Sequence, residues 1–230
     1  MTSPIDTATL SASFTDIISR RRSVRGFLST PVPADTIRTI FTLAQRTPSN
    51  CNTQPWLTHV VSGEKLETLR QRMYENAMLG KMTLDYPYSG KYDGVYKERQ
   101  YDAAVQMYNA VGIAREEKQK RLEVFLRNYR FFNAPHVAFL FLPEPFGIRE
   151  AADVGMYAQS LMLGMTAFGL GSCPQTSLGF HADLVREVLG IDPANKLLFG
   201  ISFGYEDTAD PINNARLGRA DLEATTVFHD

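Results

Sequence analysis

The sequence is poor in cysteine, and the two cysteines that it has cannot form a disulfide framework. Cys51 and Cys173 are far apart in a chain of 230 residues, and neither has a cysteine or histidine close by in the sequence. Such isolation also argues against a structural zinc site, which needs clustered ligands. We therefore expect two ordinary reduced thiols and no metal site.

The chain also lacks an excess of charge and a long apolar run. Its formal net charge is -1, whereas nonspecific binding to nucleic acid needs a basic face. The longest apolar run, at residues 137–142, is too short to cross a bilayer, and residues 1–13 lack the pattern of a secretory signal. We expect a cytoplasmic protein that binds neither nucleic acid nor membrane.

The usual catalytic motifs are missing as well. There is no G-x-x-x-x-G-K-[ST], H-E-x-x-H or G-x-S-x-G, and residues 169–174 fail the pattern G-x-G-x-x-G because Pro174 occupies the last glycine position. The four histidines are scattered along the chain, and we interpret them as structural. A chain without an acid, base or nucleophile constellation is typical of an enzyme whose cofactor carries the chemistry.

A cluster of arginines is the most distinctive feature that is present. Residues 20–25 read RRRSVR, at the predicted C-terminal end of a helix that starts near Phe14. Cations are favourable at a helix C-terminus, which would account for one or two of these charges. Arg25 lies beyond that end, however, so the cluster also favours an anion site, and a phosphate is the anion that arginines hold best.

A polar loop with three amides follows the second predicted helix. Asn50, Asn52 and Gln54 alternate, so in an extended backbone their side chains would share one face and could contact the edge of a flat heterocycle. The same residue types are also common in solvated turns. Trp56 favours a packed loop, because an indole ring is costly to leave in water.

Helical and strand patterns alternate along the chain and predict an α+β or α/β sandwich in one domain, residues 1–230. The predicted helices cover residues 14–21, 37–44, 66–77, 122–129, 153–168 and 184–189, and the predicted strands cover 57–61, 136–142 and 197–203. Residues 1–13 are expected to form a loose arm, and residues 172–175 a loop.

Three segments allow two interpretations each. Residues 84–108 carry six tyrosines and form either an excursion that covers a pocket or a surface helix pair. The helix from Asp153 is apolar on every side and is buried either by a second subunit or within the monomer. The last 26 residues, with Arg216 and Arg219, are either frayed or wrapped on another surface.

Four motifs together resemble the FMN-dependent nitroreductase superfamily, most of all its nitrobenzoate-reductase-like branch. They are RRSVRGF at 21–27, PSNCNTQPW at 48–56, GLGSCPQ at 169–175 and LLFGISFGYED at 197–207. The resemblance spans nearly the whole chain. It implies an α+β sandwich with a mainly antiparallel central sheet flanked by helices, and a homodimer that exchanges its C-terminal segments and holds two FMN sites at the interface.

The resemblance also implies a role for each matching residue. Arg21, Ser23 and Arg219 would bind the FMN phosphate, Arg22 would line the ribityl and ring region, and Arg25 would lie near N1 and O2 of the flavin. Pro48, Ser49, Asn50, Asn52 and Gln54 would approach the flavin of the partner subunit. Pro174 and Gln175 would lie over the ring, with the Gln175 backbone N–H facing N5. Asn50 and Cys51 depart from the small residues common in the family, so their side-chain contacts stay open.

The implied reaction is ping-pong hydride transfer through flavin N5, with no catalytic side chain. NADH or NADPH reduces the flavin, and a planar nitroaromatic or quinone-like acceptor then reoxidises it. Two alternatives remain: a flavoenzyme of the same fold with other chemistry, such as dehalogenation or oxidation of an azoline or of flavin, and a flavin carrier or redox sensor. The sequence does not choose between NADH and NADPH, and it does not identify the natural acceptor.

Overall fold

The centre of the molecule is a four-stranded antiparallel sheet, which confirms the expected α+β class. The computed structural model describes residues 6–229. The strands are β1 (Leu57–Val61), β2 (His136–Pro143), β3 (Gly171–Gln175) and β4 (Asn195–Gly204), in the order β1-β2-β4-β3. The helices are α1 (Thr7–Arg20), α2 (Ala34–Ala44), α3 (Gly63–Met78), α4 (Gly94–Ala110), α5 (Lys118–Leu126), α6 (Ile148–Ala167) and α7 (Ala182–Leu189).

Helices cover both faces of the sheet, because its central strand β2 is apolar on both sides. Val137, Phe139 and Phe141 point to one side and pack with residues of α3 and α7. Ala138 and Leu140 point to the other side and pack with residues of α2 and α6. Side chains alternate along a strand, so a continuous apolar run such as 137–142 supplies a core to each face.

Two helices, α1 and α6, begin well before the residues at which the sequence predicts them to start. Residues 7–13, expected as a loose arm, form the first half of α1, because Asp6 accepts hydrogen bonds from the backbone N–H groups of Ala8 and Thr9 at 3.1 and 3.3 Å. Residues 1–5 of that arm lie outside the described residues. Helix α6 begins at Ile148 and not at Asp153, since the Glu150 carboxylate accepts the Gly147 N–H at 3.0 Å.

The expected loop at 172–175 is wrong, since these residues form the edge strand β3. Ser172, Cys173 and Gln175 are buried against β4, with Cys173 opposite Ser202. A short segment that contains Pro174 does not read as a strand, but proline is accepted in an edge strand. Strand β3 therefore brings the fourth sequence motif, in β4, next to the third.

Helix α6 is not buried on all sides within the described chain. Val154, Tyr157 and Leu161 face the core, while Met156, and Phe168 directly after the helix, are 44% and 42% exposed. Helix α4, in the tyrosine-rich segment, has no buried residue and lies on the surface. Among residues 6–229 no helix is long and apolar enough to cross a membrane.

Candidate cofactor-binding site

The arginine cluster lines a cavity of about 480 Å³ at the C-terminal end of α1. Residues 215–217 and residue 219, near the C-terminus, also line this cavity. Six arginines contribute to the lining: Arg20, Arg21, Arg22, Arg25, Arg216 and Arg219. Glu206 is the one carboxylate among its lining residues in the described chain. Two segments that lie almost 200 residues apart in the sequence therefore meet at one strongly cationic cavity.

Arg21 and Arg219 lie close enough to repel each other, and neither has a carboxylate partner among the described residues. Burial, and then the positive charge of Arg219, lower the pKa of Arg21. The Arg219 guanidinium donates to the carbonyl oxygens of Leu217 and Gly218 at 3.1 and 2.9 Å, and neither arginine forms a salt bridge within residues 6–229. Two like charges held together in this way favour an anion between them, and a phosphate fits that requirement.

Arg22 is held differently, and one of its donors is left over. Its guanidinium pairs with Glu206 at the end of the fourth sequence motif. The Nη1 atom of Arg22 is nevertheless buried without a hydrogen-bond partner among the described residues. A buried donor without a partner is costly, so a polar ligand at this position would stabilise the site.

Arg20 does not belong to the anion site in the same way. Its Nε donates to the carboxylate of Asp16 at 2.7 Å, and both side chains are largely exposed. The distance of four residues places the pair on one face of α1. Arg20 is thus a charge at the end of a surface helix, as one interpretation of the cluster expected.

The backbone around Arg25 is fixed by the segment from Asp207 to Asn213. The buried side chain of Asn213 accepts the Arg25 N–H at 2.8 Å and donates to the carbonyls of Gly26 and Asp207 at 2.8 and 2.9 Å. Gly26 must stay a glycine here, because a Cβ atom would lie 2.5 Å from the Asp210 carboxylate. Arg25 therefore projects from a rigid turn.

A second contact holds the Arg25 backbone from the other side. Arg127, just after α5, pairs with Asp210 and donates to the Arg25 carbonyl at 3.0 Å. The Arg25 guanidinium itself donates only weakly, to the Ser23 carbonyl at 3.3 Å. Its charge is therefore available to a ligand.

Strand β3 adjoins the arginine cluster directly. The Val24 N–H donates to the Ser172 carbonyl at 3.0 Å, and Ser23 and Ser172 form a parallel bridge. A Cβ atom on Gly171 would lie 2.8 Å from Val24, so the contact requires glycine there. The first and third sequence motifs are thus neighbours in space.

The residues at the end of β3 divide into a buried and an exposed part. The Gln175 side chain is buried, donates to the Asn128 carbonyl at 2.9 Å and accepts the Ser202 hydroxyl. Pro174 is exposed. The Gln175 side chain is therefore occupied, which leaves the backbone at this end of β3 as the part that could face a ligand. Burial raises the pKa of the neighbouring Cys173 thiol, although Arg25, Ser23 and Arg21 oppose the shift.

The loop at 48–54 is a compact turn, which supports the turn interpretation and not the extended row of amides. Asn52 and Gln54 have φ of 57° and 48°, and Cys51 between the amides has φ of 49°. The Ser49 hydroxyl accepts the Gln54 N–H at 2.9 Å, and Asp153 of α6 accepts the Asn50 N–H at 3.0 Å. These local bonds replace the extended backbone.

This loop is not brought to the arginine cluster of its own chain. Within residues 6–229 its hydrogen bonds stay inside the loop or reach α6. Five residues of the loop were expected at the site: Pro48, Ser49, Asn50, Asn52 and Gln54. All but Ser49 are exposed. A single chain therefore holds only part of the constellation that the sequence indicates.

The model of the Nitroreductase family matches residues 18–205, which is most of the chain. The chain belongs to the nitroreductase family. A nitroreductase NfnB from Mycolicibacterium smegmatis is 45% identical over 213 residues, which cover 92% of this chain and 91% of that protein. A 4-nitrobenzoate reductase from Nocardioides sp. is 34% identical over 224 residues, covering 94% and 90%.

Solved structures of this family share the fold. The crystal structure of the FMN-dependent nitroreductase NfnB from Mycobacterium smegmatis in complex with NADPH has a TM-score of 0.92 and 44% identity. The match covers 96% of this chain and 100% of that chain. The resemblance to nitrobenzoate-type reductases is thereby confirmed, and so is the nitroreductase fold.

Sequence analysis of this nitroreductase-family protein assigned no role to four residues that line the cationic cavity or hold its lining in place: Arg127, Glu206, Asn213 and Arg216. Glu206 lies inside a quoted motif, and Arg216 was noticed in the tail, so both had a local signal. Asn213 and Arg127 act on Arg25 across 188 and 102 residues. No local pattern reports contacts over such separations.

Proposed function

We propose that this member of the nitroreductase family is an FMN-dependent oxidoreductase that uses NADPH to reduce nitroaromatic or quinone-like acceptors. The observation that carries the proposal is the pair Arg21, which is half-buried, and Arg219, which is exposed. Neither has a carboxylate partner among the described residues, and both line a cavity whose arginines suit a phosphate. Three relatives support it: a nitroreductase, a 4-nitrobenzoate reductase and an FMN-dependent nitroreductase in complex with NADPH.

The residues of the cavity would hold FMN along its length. Arg21, Ser23 and Arg219 would bind the phosphate, because charge-assisted hydrogen bonds to a dianion contribute about 1.5–3 kcal/mol each. Arg22, with its unpartnered Nη1, lines the ribityl region. When bound, FMN supplies the hydride chemistry that no side chain of this protein can supply.

Arg25 would place a fixed positive charge near the flavin ring, where negative charge collects on reduction. Its backbone is held on both sides by Asn213 and Arg127, so the charge does not have to reorganise during the reaction. Pro174 and the Gln175 backbone would lie over the ring, because the Gln175 side chain is already bonded to Asn128 and Ser202. This arrangement needs no catalytic acid or base from the protein.

The second half of each flavin site would come from a partner subunit in a homodimer. The loop residues Pro48, Ser49, Asn50, Asn52 and Gln54 would supply it. Two observations support this proposal. The loop is largely exposed and makes no hydrogen bond to the arginine cluster among the described residues. Helix α1 has no buried residue, although Leu10, Phe14 and Ile18 form an apolar stripe on it. The exchanged C-terminal segment and the cytoplasmic location stay predictions.

Flavin content and turnover test the proposal. The purified protein is expected to be yellow or to bind added FMN, to lose its flavin absorbance when NADPH is added without oxygen, and to regain it with a nitroaromatic or quinone. NADH in a parallel series measures the nucleotide preference. A protein that cannot bind FMN contradicts the proposal outright. Bleaching without acceptor-dependent turnover would instead indicate a carrier or sensor, and no bleaching would indicate other flavin chemistry.

A further inference from the structure

A second, smaller cavity lies between α4 and α5, in the tyrosine-rich part of the chain. Its volume is about 240 Å³, and it shares no lining residue with the arginine cavity. Drug-sized ligands occupy roughly 300–1,000 Å³, so this cavity has the size for a ligand with one ring. Its apolar lining includes Ala104 and Val105 of α4 and Ile113 of the connection to α5.

Two arginines enter this cavity, each beside a tyrosine. The Arg121 guanidinium carbon lies 4.4 Å from the ring centre of Tyr108, and that of Arg115 lies 5.7 Å from the ring centre of Tyr101. Stacking of this kind holds a guanidinium in one orientation without neutralising its charge. The cavity therefore combines an apolar wall with two oriented cations.

Neither cation has a carboxylate partner in the described chain. No Asp or Glu lines the cavity, and neither Arg115 nor Arg121 forms a salt bridge within residues 6–229. Glu117, four residues before Arg121, is engaged by the Ala114 N–H at 2.8 Å and by Lys120. The two positive charges of the cavity are thus uncompensated.

Arg121 also carries a side-chain donor without a partner among the described residues. Its Nε is buried and has no hydrogen-bond partner among the described residues, while its Nη1 donates to the Arg115 carbonyl at 3.2 Å. A buried guanidinium N–H is normally bonded, and an arginine presents its N–H groups in the geometry of a carboxylate. An anionic oxygen at this position would satisfy it.

We propose that the cavity between α4 and α5 is a binding site for a monocyclic aromatic carboxylate. The ring packs against Ala104, Val105 and the tyrosines, and the carboxylate accepts hydrogen bonds from Arg115 and Arg121. The proposal goes beyond the proposed redox function, because the site involves none of the residues assigned to FMN. A neutral compound of the same shape lacks the charge that the arginines require.

Calorimetric titration of the FMN-loaded protein with benzoate tests the site, with benzamide as the neutral analogue and the flavin spectrum recorded in parallel. We expect saturable binding of one benzoate per chain, at least tenfold weaker binding of benzamide, and no change in the flavin spectrum from this event. Absence of saturable benzoate binding, or equal affinity for benzamide, overturns the proposal. So does binding that is seen only as a change in the flavin spectrum.

Three variants locate the binding in the cavity. Arg121→Gln and Arg115→Gln are each expected to weaken benzoate binding at least tenfold. Ala104→Leu is expected to weaken it by filling the cavity without changing any charge, and it keeps the test valid if an arginine variant folds poorly. The matched control is Arg99→Gln, which removes another arginine beside a tyrosine of α4, 5.8 Å from the Tyr96 ring centre, outside the cavity.

Wild-type affinity in the Arg121→Gln and Ala104→Leu variants would overturn the assignment. FMN content and NADPH oxidation without benzoate are expected to stay unchanged in all four variants. A failure of the benzoate site therefore leaves the proposed redox function intact, and a failure of FMN binding would show itself in the wild-type protein first.

Discussion

At the scale of single residues, Arg21 and Arg219 repel each other, and an anion bound between them would relieve this repulsion. The two side chains come from opposite ends of the chain, so folding itself brings the charges together. Burial and the Arg219 charge lower the pKa of Arg21, which means that its charged form is less favourable here than in water. Binding a dianion would reverse that cost.

We therefore predict that Arg21→Ala and Arg219→Ala each weaken FMN binding by about 10- to 100-fold, since each removes a charge-assisted hydrogen bond worth roughly 1.5–3 kcal/mol. The measurement is the dissociation constant of FMN for the apoprotein, from fluorescence quenching of the flavin. Arg20→Ala is the matched control, because Arg20 is bonded to Asp16 on the surface. Wild-type FMN affinity in both variants would remove the phosphate assignment.

The sequence identifies this arginine cluster, but it does not show which arginines are paired with carboxylates and which are free for a ligand. The pairing of Arg20 with Asp16 follows from their spacing of four residues along a helix, and it could have been predicted. The partner of Arg22, Glu206, lies 184 residues away, and only the closed sheet brings the two together. Which arginine stays free for a ligand is thus a property of the tertiary structure.

At the scale of elements, the turn at Pro211–Asn214 acts as a support for the arginine cluster. Asn213 makes three hydrogen bonds to the backbone of Arg25, Gly26 and Asp207, and its side chain is buried. These bonds fix the direction in which Arg25 leaves the backbone. Helix α4 packs against the same turn, so the tyrosine-rich segment and the arginine cluster contact a common element.

Asn213→Ala is predicted to lower the free energy of unfolding by about 2 kcal/mol or more, because it leaves buried backbone groups without partners. The loss of order at Arg25 is also expected to make the flavin harder to reduce. Urea unfolding and a redox titration of the holoprotein measure the two effects. Asn214→Ala, at the exposed neighbouring position, controls for the local turn. Wild-type stability together with a wild-type potential would contradict this support role.

Another element, the start of α7, makes the free energy of unfolding depend on pH. The residue responsible is His181, directly before the helix. Its ring is buried, packs edge-on against Tyr129 at 5.1 Å, and burial lowers its pKa from 6.5 to about 4. Between these values the unfolded chain binds the proton and the folded protein does not. Acid therefore favours unfolding, and the contribution of His181 is complete above pH 6.5 and lost as the pH falls towards 4.

We predict that the free energy of unfolding falls by about 3 kcal/mol from this group between pH 6.5 and 4, at 1.36 kcal/mol per pKa unit. His181→Phe should flatten that part of the profile, measured by urea unfolding at a series of pH values. Some dependence will remain, because burial also lowers the pKa of His59 and His136. His229→Phe, at an exposed position, should leave the profile unchanged. An equally steep profile in His181→Phe would refute the assignment.

The elements differ in how well the sequence predicts them. Strand β2 and helix α3 have strong apolar periods, and their positions were predicted to within a few residues. Strand β3 has five residues, with Pro174 among them, and it is held by pairing with β4 and not by its own pattern. The turn at 48–54 depends on Asp153, a residue about 100 positions away that accepts the Asn50 N–H. Local patterns do not contain such partners.

At the scale of the whole molecule, the described chain leaves apolar surface uncovered on two packed helices. Leu10, Phe14 and Ile18 of α1 are 57%, 61% and 42% exposed and recur every four residues, so they form one stripe. Helix α1 packs against α6, whose Met156 is also exposed. The sequence predicted that α6 is apolar on all sides, but only the fold shows which part of it the chain itself leaves uncovered. An apolar surface of this kind is typical of a subunit interface.

If this surface joins two subunits, a charge in its centre should separate them. Phe14→Glu is predicted to raise the dimer dissociation constant by about 100-fold or more, because burial of one large apolar side chain is worth about 1.5–3 kcal/mol and the carboxylate adds a desolvation cost. Sedimentation velocity over a range of concentrations measures it. Leu79→Glu, at another exposed apolar residue after α3, is the control. The separated chains should also bind FMN more weakly than the dimer, since each lacks the partner's loop around Asn50. A wild-type protein that is monomeric, or a Phe14→Glu variant that is as dimeric as the wild type, would show that the flavin site is completed in another way.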